Sequence, residues 1–510
     1  MSRKRIIIVT LGIMLSLFMA SMESTVIATA MPTIIGQLGG LEHYSWVFSA
    51  FMLASTATVP LYGKLSDLFG RRRLYIFAMG LFLIGSALSG QASNMTQLII
   101  FRAIQGLGAG GVQPLAFIMI GEMFSLQQRA RMQGLFSGVW GVSSIVGPLL
   151  GGFLVDQLSW RWVFYVNVIP GLLAAALVAF AWRDQVHHHE MPVVDYAGAG
   201  LLTACVVALL FGLMELGTPA GWALISLAAI LFAVLLWAER RAVDPILPLN
   251  LFHDRLFSVA VGHGMLAGWA MFGSTSFVPL FVQSVLGTSA TQAGITITPM
   301  LLGWVTASII GARLMLIVGY RTLGLIGMTS LSLGTFLMSQ ASLNTSQTLL
   351  MVFVALMGVG MGLSIPSLLI AVQSSVERRH LGAATSTVQF SRSIGGTLGV
   401  SVMGAALTLH LTSGLQAAGQ DVSIIQQLLN PTPGSQVVIA ENARLAMANS
   451  INLVFMIAFT AALLGLAAIF LAPRRTLTDA ARHSTASKGD RESSSQQSNL
   501  EESIDAASAD

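Results

Sequence analysis

Apolar runs of about 20 residues, the length a helix needs to cross a hydrocarbon core, alternate with short polar connections along almost the whole chain. The pattern predicts about fourteen membrane-spanning helices, at 6–30, 45–63, 74–92, 96–121, 131–155, 162–182, 195–215, 220–239, 257–284, 290–312, 322–341, 347–374, 381–410 and 448–472, with twelve spans as the alternative. The first run follows Arg3-Lys4-Arg5 and ends near Ala28-Thr29-Ala30, which resembles a cleaved leader. Its length and the presence of Glu23 favour a first span instead.

The connections between spans carry basic residues in alternation. Gly36–Tyr44, Gln91–Met95, Gly217–Gly221, Gly287–Thr291 and Ser342–Ser346 hold no Lys or Arg. The intervening connections hold Lys64 with Arg71–Arg73, then Arg129, Arg183, Arg240–Arg241 with Arg255, Arg321 and Arg378–Arg379. Arg161 and Arg444 depart from the alternation. Under the positive-inside rule both termini lie in the cytoplasm. The outer connection Thr412–Asn449 contains the turn signal Asn430-Pro431-Thr432-Pro433-Gly434. Residues 476–510 are Ser-rich and polar without apolar periodicity, which predicts a disordered cytoplasmic tail.

The apolar pattern also repeats. Phe101, Gly106, Gly108, Gly110 and Pro114 recur in register as Phe353, Gly358, Gly360, Gly362 and Pro366. Gly134, Gly147 and Gly151 recur as Gly382, Gly395 and Gly399, and Gly63 with Arg73 as Gly311 with Arg321. The expected architecture is an all-α membrane protein: a six-helix bundle (1–182), two inserted helices with their connections (183–256), a related six-helix bundle (257–472) and a tail (473–510). Parallel halves related by an axis along the membrane normal are a transporter arrangement, with the substrate site between them.

Composition supports this frame. Of 510 residues, 54% are hydrophobic and 9% charged, against about 25% charged in soluble domains. The net charge of +4 is dispersed between spans, so it does not point to nucleic acid. The single cysteine, Cys205, excludes an intramolecular disulfide and a multi-cysteine metal site. There is no P-loop, and no Gly-x-Gly-x-x-Gly pattern follows a strand.

The candidate chemistry is then a matter of a few charges. A guanidinium deep in hydrocarbon is costly, so an ionisable residue there is a functional candidate. Glu23 lies about seven residues from the outer end of the first span, roughly 10 Å. Arg102 lies about six residues from the outer end of the fourth, roughly 9 Å. Equal depth makes them a candidate pair. Burial opposes ionisation of a carboxyl and a neighbouring guanidinium favours it, a balance suited to a proton carrier. The alternative is a static pair that fixes helix packing. The repeat replaces Arg102 with Val354, which separates shared architecture from unshared function. Arg392 is placed near mid-membrane without a partner acid in its half, open to an anion, a lipid headgroup or helix carbonyls. Glu215 is expected at an interface, and His263 and His410 as satisfied helix residues. His187–His189 adjoin Glu190 in a loop, a weak metal candidate. Gln105, Gln113, Trp140, Gln389 and Arg392, with Met31, Trp46, Phe51, Trp269, Phe272 and Phe277, are candidates to line a substrate cavity.

Gly63-Lys64-Leu65-Ser66-Asp67-Leu68-Phe69-Gly70-Arg71-Arg72-Arg73 forms the connection between the second and third spans. It resembles the cytoplasmic signature of the major facilitator superfamily, G-x-x-x-D-[RK]-x-G-R-[RK]-[RK], departing at Leu68. Leu98–Gly110 resembles the superfamily's fourth-span motif. Gly138–Gly152, GVWGVSSIVGPLLGG, resembles its antiporter motif, including Gly147, Pro148 and Gly151. There, Gly147-Pro148 is expected to bend the helix and the spaced glycines to allow close approach. Met22–Pro32 resembles the first-span motif of the fourteen-span drug:proton antiporters, with Glu23 where Asp is usual. Trp160–Asn167, Asp244-Pro245 and Arg255-Leu256-Phe257 are similar to that group as well.

The resemblance implies an antiporter of the cytoplasmic membrane that expels amphipathic, cationic drugs by alternating access. It implies Glu23 and Arg102 in proton coupling, Gly63, Asp67, Gly70, Arg71 and Arg72 in a cytoplasmic gate, and a seal at the antiporter motif. The proton gradient would supply the drive, with no cofactor. Partners would be a small-molecule substrate, protons and membrane lipid. An exporter of one metabolite, siderophore or lipid stays open, and a transport-inactive sensor competes less well. An enzyme lacks any metal or nucleophile constellation in the sequence.

Overall fold

The computed structural model describes residues 2–38, 44–184, 195–242, 245, 247, 249–288, 290–377, 380–417 and 441–474. Among these, fourteen long helical segments occupy the places of the fourteen expected spans. The first half holds α1 (Arg3–Leu38), α2 (Tyr44–Phe69), α3 (Arg71–Gly90), α4 (Met95–Met123), α5 (Leu126–Gln157) and α6 (Trp162–Ala181). A pair follows, α7 (Tyr196–Met214) and α8 (Pro219–Glu239). The second half begins with α9 (Arg255–Val285). The stretch Ala290–Ser339 is divided at Gly319, where φ is 79°, into α10 and α11. Then come α12 (Gln347–Ser375), α13 (Leu381–Ala417) and α14 (Glu441–Phe470). Twelve of these segments are long and apolar enough to cross a membrane by length and composition. The other two are the glycine-rich α5 and the short Ala197–Leu213 within α7. The tail, His187–His189 and the turn at Asn430–Gly434 lie outside the described residues.

Local chemistry sets several boundaries. Asn94 caps α4 by accepting from the Gln97 N–H, and Ser346 caps α12 by accepting from the Leu349 N–H. Ser125 and Gln128 form a capping box, so α5 starts five residues earlier than its apolar pattern. Gly70 alone joins α2 to α3, at φ 90°, a conformation that favours glycine. α6 is two pieces, Trp162–Tyr165 and Val168–Ala181, and Asn167 sits at the break.

Within the first half, α1 packs on α5 and α6, while α2 and α3 pack on α4. The second half repeats this arrangement, with α9 on α13 and α14, and α10 and α11 on α12. The glycines of the repeat make it possible. Gly106 and Gly110 lie against Phe51, Ser55 and Thr58 of α2, and Gly108 between them faces Ala78 and Phe82 of α3. Gly358 and Gly362 lie against Met300, Trp304 and Ala307 of α10, and Gly360 faces Gly327 and Leu331 of α11. In a bilayer the helices gain little from leaving lipid for protein, so close backbone approach at small residues carries the packing.

The halves meet along two seams, α5 with α10 and α2 with α13. The inserted pair packs on itself, and α7 lies against α2 and α13. Leu202, Val206 and Leu210 of α7 join Ala57 of α2 in an apolar cluster that Phe390 and Ile394 of α13 pack against. The linker between halves is thus part of a seam. The outward faces display Phe180, Trp222, Ile230 and Ile317, which suits a hydrocarbon solvent.

Candidate functional site

Glu23 of α1 and Arg102 of α4 meet at a common depth, each side chain about 1% exposed. Arg102 Nη1 donates to Glu23 Oε1 at 2.6 Å and to Gln105 Oε1 at 2.7 Å. Gln105 Nε2 donates to the same Glu23 oxygen at 2.8 Å. Asn167 Nδ2 donates to the other, Oε2, at 2.6 Å. The guanidinium lies over the Phe51 ring at 4.2 Å, and its Nε donates to the Val47 carbonyl at 3.3 Å. A buried ion pair is tolerated when its remaining hydrogen-bonding capacity is also met, and both carboxylate oxygens here are engaged. Every member belongs to the first half. Oε2 accepts from Asn167 alone among the described residues, so it keeps a lone pair on which a proton could be carried.

A second polar cluster holds the halves together at the end that carries the α2–α3 connection. The Asp67 carboxylate pairs with Arg71 and accepts from the N–H groups of Gly382 at 3.2 Å and Ala383 at 2.9 Å. These are early residues of α13, whose unpaired N–H groups and dipole favour an anion. Arg71 also donates to Glu122 Oε1 at 2.8 Å and Ser66 Oγ at 2.9 Å. Asp184 Oδ1 accepts from the Arg71 N–H at 2.9 Å and from Trp182 Nε1 at 2.7 Å. Gly63 and Gly382 allow the contact: a Cβ on Gly63 would run into Ser386 and the Gly382 carbonyl. The side chain of Arg72 is exposed, and this residue offers only its N–H, 3.3 Å from Asp184. Arg129 of α5 donates to the Gln373 carbonyl of α12 at 3.1 Å, a further tie at this end.

Between these clusters lies a cavity walled by both halves. Gln113, Trp140, Phe272 and Arg392, expected there from sequence, line it. Seven candidates do not. Gln105 is committed to Glu23, three residues from Arg102 on the same face. Gln389 is buried with its Nε2 unpartnered but is not in the cavity wall. Nor are Met31, Trp46, Phe51, Trp269 or Phe277: Trp46 packs on Phe211 of α7 with the rings tilted, and Phe51 serves Arg102.

The glycine-rich helix α5 connects the three regions. Toward the second half, Ser137 Oγ donates to Ser308 Oγ of α10 at 2.8 Å, Gly134 meets Ile309, and the rings of Trp140 and Trp304 lie 6.3 Å apart. Toward α1, Ser143 Oγ reaches the Phe18 carbonyl at 3.3 Å. α5 runs as one helix through Gly147 and Pro148, and the Pro148 ring lies outside the described side chains. Gly147 and Gly151 are buried. Gly138 and Gly152 have nothing within 4 Å of a Cβ position, whereas a Cβ on Gly134 would meet Ile309 and one on Gly141 would meet Val305.

A family model described as Major Facilitator Superfamily matches residues 13–400, from α1 into α13. The chain belongs to the major facilitator superfamily. It is a membrane transporter, not an enzyme. Similar proteins include the multidrug transporter protein MdtP of Bacillus subtilis, 39% identical over 412 residues, 79% of this chain and 75% of that one. Multidrug resistance protein 3 of the same organism is 37% identical over 92% of this chain and 96% of its own. Among solved structures, the proton:xylose symporter XylE superposes with a TM-score of 0.60 at 14% identity, covering 92% of this chain and 95% of that one. This likeness shows the superfamily fold.

Several residues of this facilitator's sites escaped sequence reading. Asn167 sits at the helix break in α6 and is the one amide within 162–182. An amide in an apolar span was a usable signal. Glu122, Asp184 and Ser308 carry no comparable mark in the sequence. His410 Nδ1 lies 3.0 Å from Ser450 Oγ, as expected of a satisfied histidine. His263 corrects its expectation: it is buried and its Nε2 has no hydrogen-bond partner. Glu215 ends α7, exposed.

Proposed function

We propose that the protein exports amphipathic organic compounds across the cytoplasmic membrane in exchange for protons. Both termini would face the cytoplasm, and the gradient supplies the drive without a cofactor. The observation that carries this reading is the fully enclosed Glu23, held by Arg102, Gln105 and Asn167 apart from the cavity. The relatives named as multidrug transporters support drugs as cargo.

Glu23 is the proton carrier. Asn167 Oδ1 is buried without a partner. Turning that amide over would present an acceptor to a protonated Glu23, so the site can hold either state of the carboxyl. Cargo does not compete for this carboxylate directly, because Glu23 is not in the cavity wall. A change at Glu23 reaches the cavity through α1 and α5, whose other face lies on α10. The Asp67 contact to α13 holds the cytoplasmic end shut and must break for cargo to enter there.

The test is transport in proteoliposomes under an imposed pH gradient, with a probe panel of ethidium, 9-anthroate and methyl 9-anthroate. Wild type should move at least one probe in a gradient-dependent way, and folded Glu23→Gln should move none. Gradient-driven movement at the wild-type rate in Glu23→Gln would remove Glu23 as the carrier.

A further inference from the structure

The cavity wall contains an unanswered charge. Arg392 projects into it from α13, at a point where α9 presses its backbone through Gly264 and Gly268. Its Nε is buried with no hydrogen-bond partner. Among the described residues that line the cavity there is no Asp or Glu. The contrast with Arg102, which has Glu23 and Gln105 within 2.7 Å, is complete. A buried guanidinium left without an anion is costly. It also repels cationic cargo at close range, where little water intervenes.

Around Arg392 the wall is aromatic and amide-bearing. Trp140 and Trp304 face each other across the seam at 6.3 Å with ring planes 30° apart, and Phe136 and Phe272 stand nearby in the same wall. Ser393 and Gln113 add neutral hydrogen-bonding groups. Flat apolar surface beside a single planar cation fits one kind of guest. The guest has an aromatic body and an acidic group that a guanidinium can grip with two parallel hydrogen bonds.

We propose that the central cavity binds amphipathic aromatic acids, free or zwitterionic, with Arg392 as counter-ion to the carboxylate or sulfonate. This rests on the reading of the protein as an exporter and replaces its expected cationic preference with an acidic one. An acidic lipid headgroup has the same chemistry, so the test separates the two.

The experiment is equilibrium binding to purified full-length protein in detergent, read by quenching of tryptophan fluorescence, with 9-anthroate and methyl 9-anthroate as probes. Wild type should bind the acid at least tenfold more tightly than the ester. In Arg392→Gln the ratio should fall to about one, with ester binding retained as evidence of a folded cavity. Arg392→Lys should keep part of the preference, and Ser393→Asp, which adds a carboxylate to the same cavity wall, should weaken it. Equal binding of acid and ester by wild type overturns the proposal even if no variant folds. An unchanged ratio in folded Arg392→Gln also overturns it. Competition by phosphatidylglycerol and not by phosphatidylcholine would make the site one for lipid instead of cargo. Because binding needs no gradient, its outcome is independent of whether proton-driven export is found. Export without acid preference would sink this inference alone, and acid binding without export would sink the exporter reading alone.

Discussion

α4 and α12 are two versions of one helix: they share a phenylalanine, three glycines and a proline in register, and α12 puts Val354 and Met357 where α4 has Arg102 and Gln105. Each is capped by a short polar side chain, each spaces three glycines two residues apart, and each lays those glycines alternately on the second and third helices of its half. At the position where α4 carries Arg102, α12 carries Val354, fully buried in apolar surroundings. The difference lies in what surrounds the position. Arg102 is wrapped by Glu23, Gln105 and the Phe51 ring. Val354 sits within the large apolar core. Sterics holds both halves to one pattern, and the polar network is an addition to one of them.

The comparison can be broken most severely by Val354→Arg. A guanidinium introduced there has no carboxylate waiting, and the effective penalty is several kcal/mol for one unpaired ion. Folded protein should be lost, scored by monodispersity in size-exclusion chromatography. A stable Val354→Arg would mean that the wrapping of Arg102 is not what makes it tolerable.

Gly108→Val and Gly360→Val come next. A side chain at Gly108 collides with the Ala78 and Phe82 backbone, and one at Gly360 with the Gly327 and Leu331 backbone. Both variants should show sharply lower melting temperatures, by similar amounts. A large loss in only one would show that the two ladders do not bear equal weight.

Glu23→Gln sharpens the functional side. Removing one partner of a buried pair typically costs roughly 3–5 kcal/mol. The double variant Glu23→Gln/Arg102→Met removes the orphaned charge and should recover much of the thermal stability. Gradient-driven transport should stay absent in both. Transport restored together with stability would identify a static pair that only fixes the helices. The smallest effect is expected from Asn167→Ala, which deletes one hydrogen bond to a charged group, about 1.5–3 kcal/mol. Its signature should be an altered pH profile of transport more than a fall in melting temperature. An unchanged profile would remove Asn167 from the coupling site.

These residues also show what the chain discloses before it is folded. Helix number, the two halves and the Glu23–Arg102 pairing follow from hydropathy, repeat spacing and depth, since 1.5 Å per residue converts sequence position into height. The loop signature identified Asp67 and Arg71, whose contact to the α13 N-terminus has the capping chemistry that an aspartate offers. Height does not give azimuth. Gln105 and Gln113 lie eight residues apart on one helix, and only contact with α1 or with the cavity separates their roles. Aromatic residues that face lipid, a neighbour or a cavity look alike in an apolar run. For that reason Trp46 and Trp140 were equal candidates, and only one lines the cavity. The seam position of α7 was equally illegible, because a helix apolar on every side has no face that names its partner.

The ownership of the polar network has a wider consequence. Glu23, Arg102, Gln105 and Asn167 all come from the first six helices, whereas the cavity wall draws on α4 and α5 from one half and α9, α10, α12 and α13 from the other. The proposed proton site is therefore a possession of one half. The proposed cargo site, a cavity walled by both, is a relation between halves. Sequence change in the second half can rewrite what is carried without touching what drives it. A single engine can in this way be fitted to many cargoes.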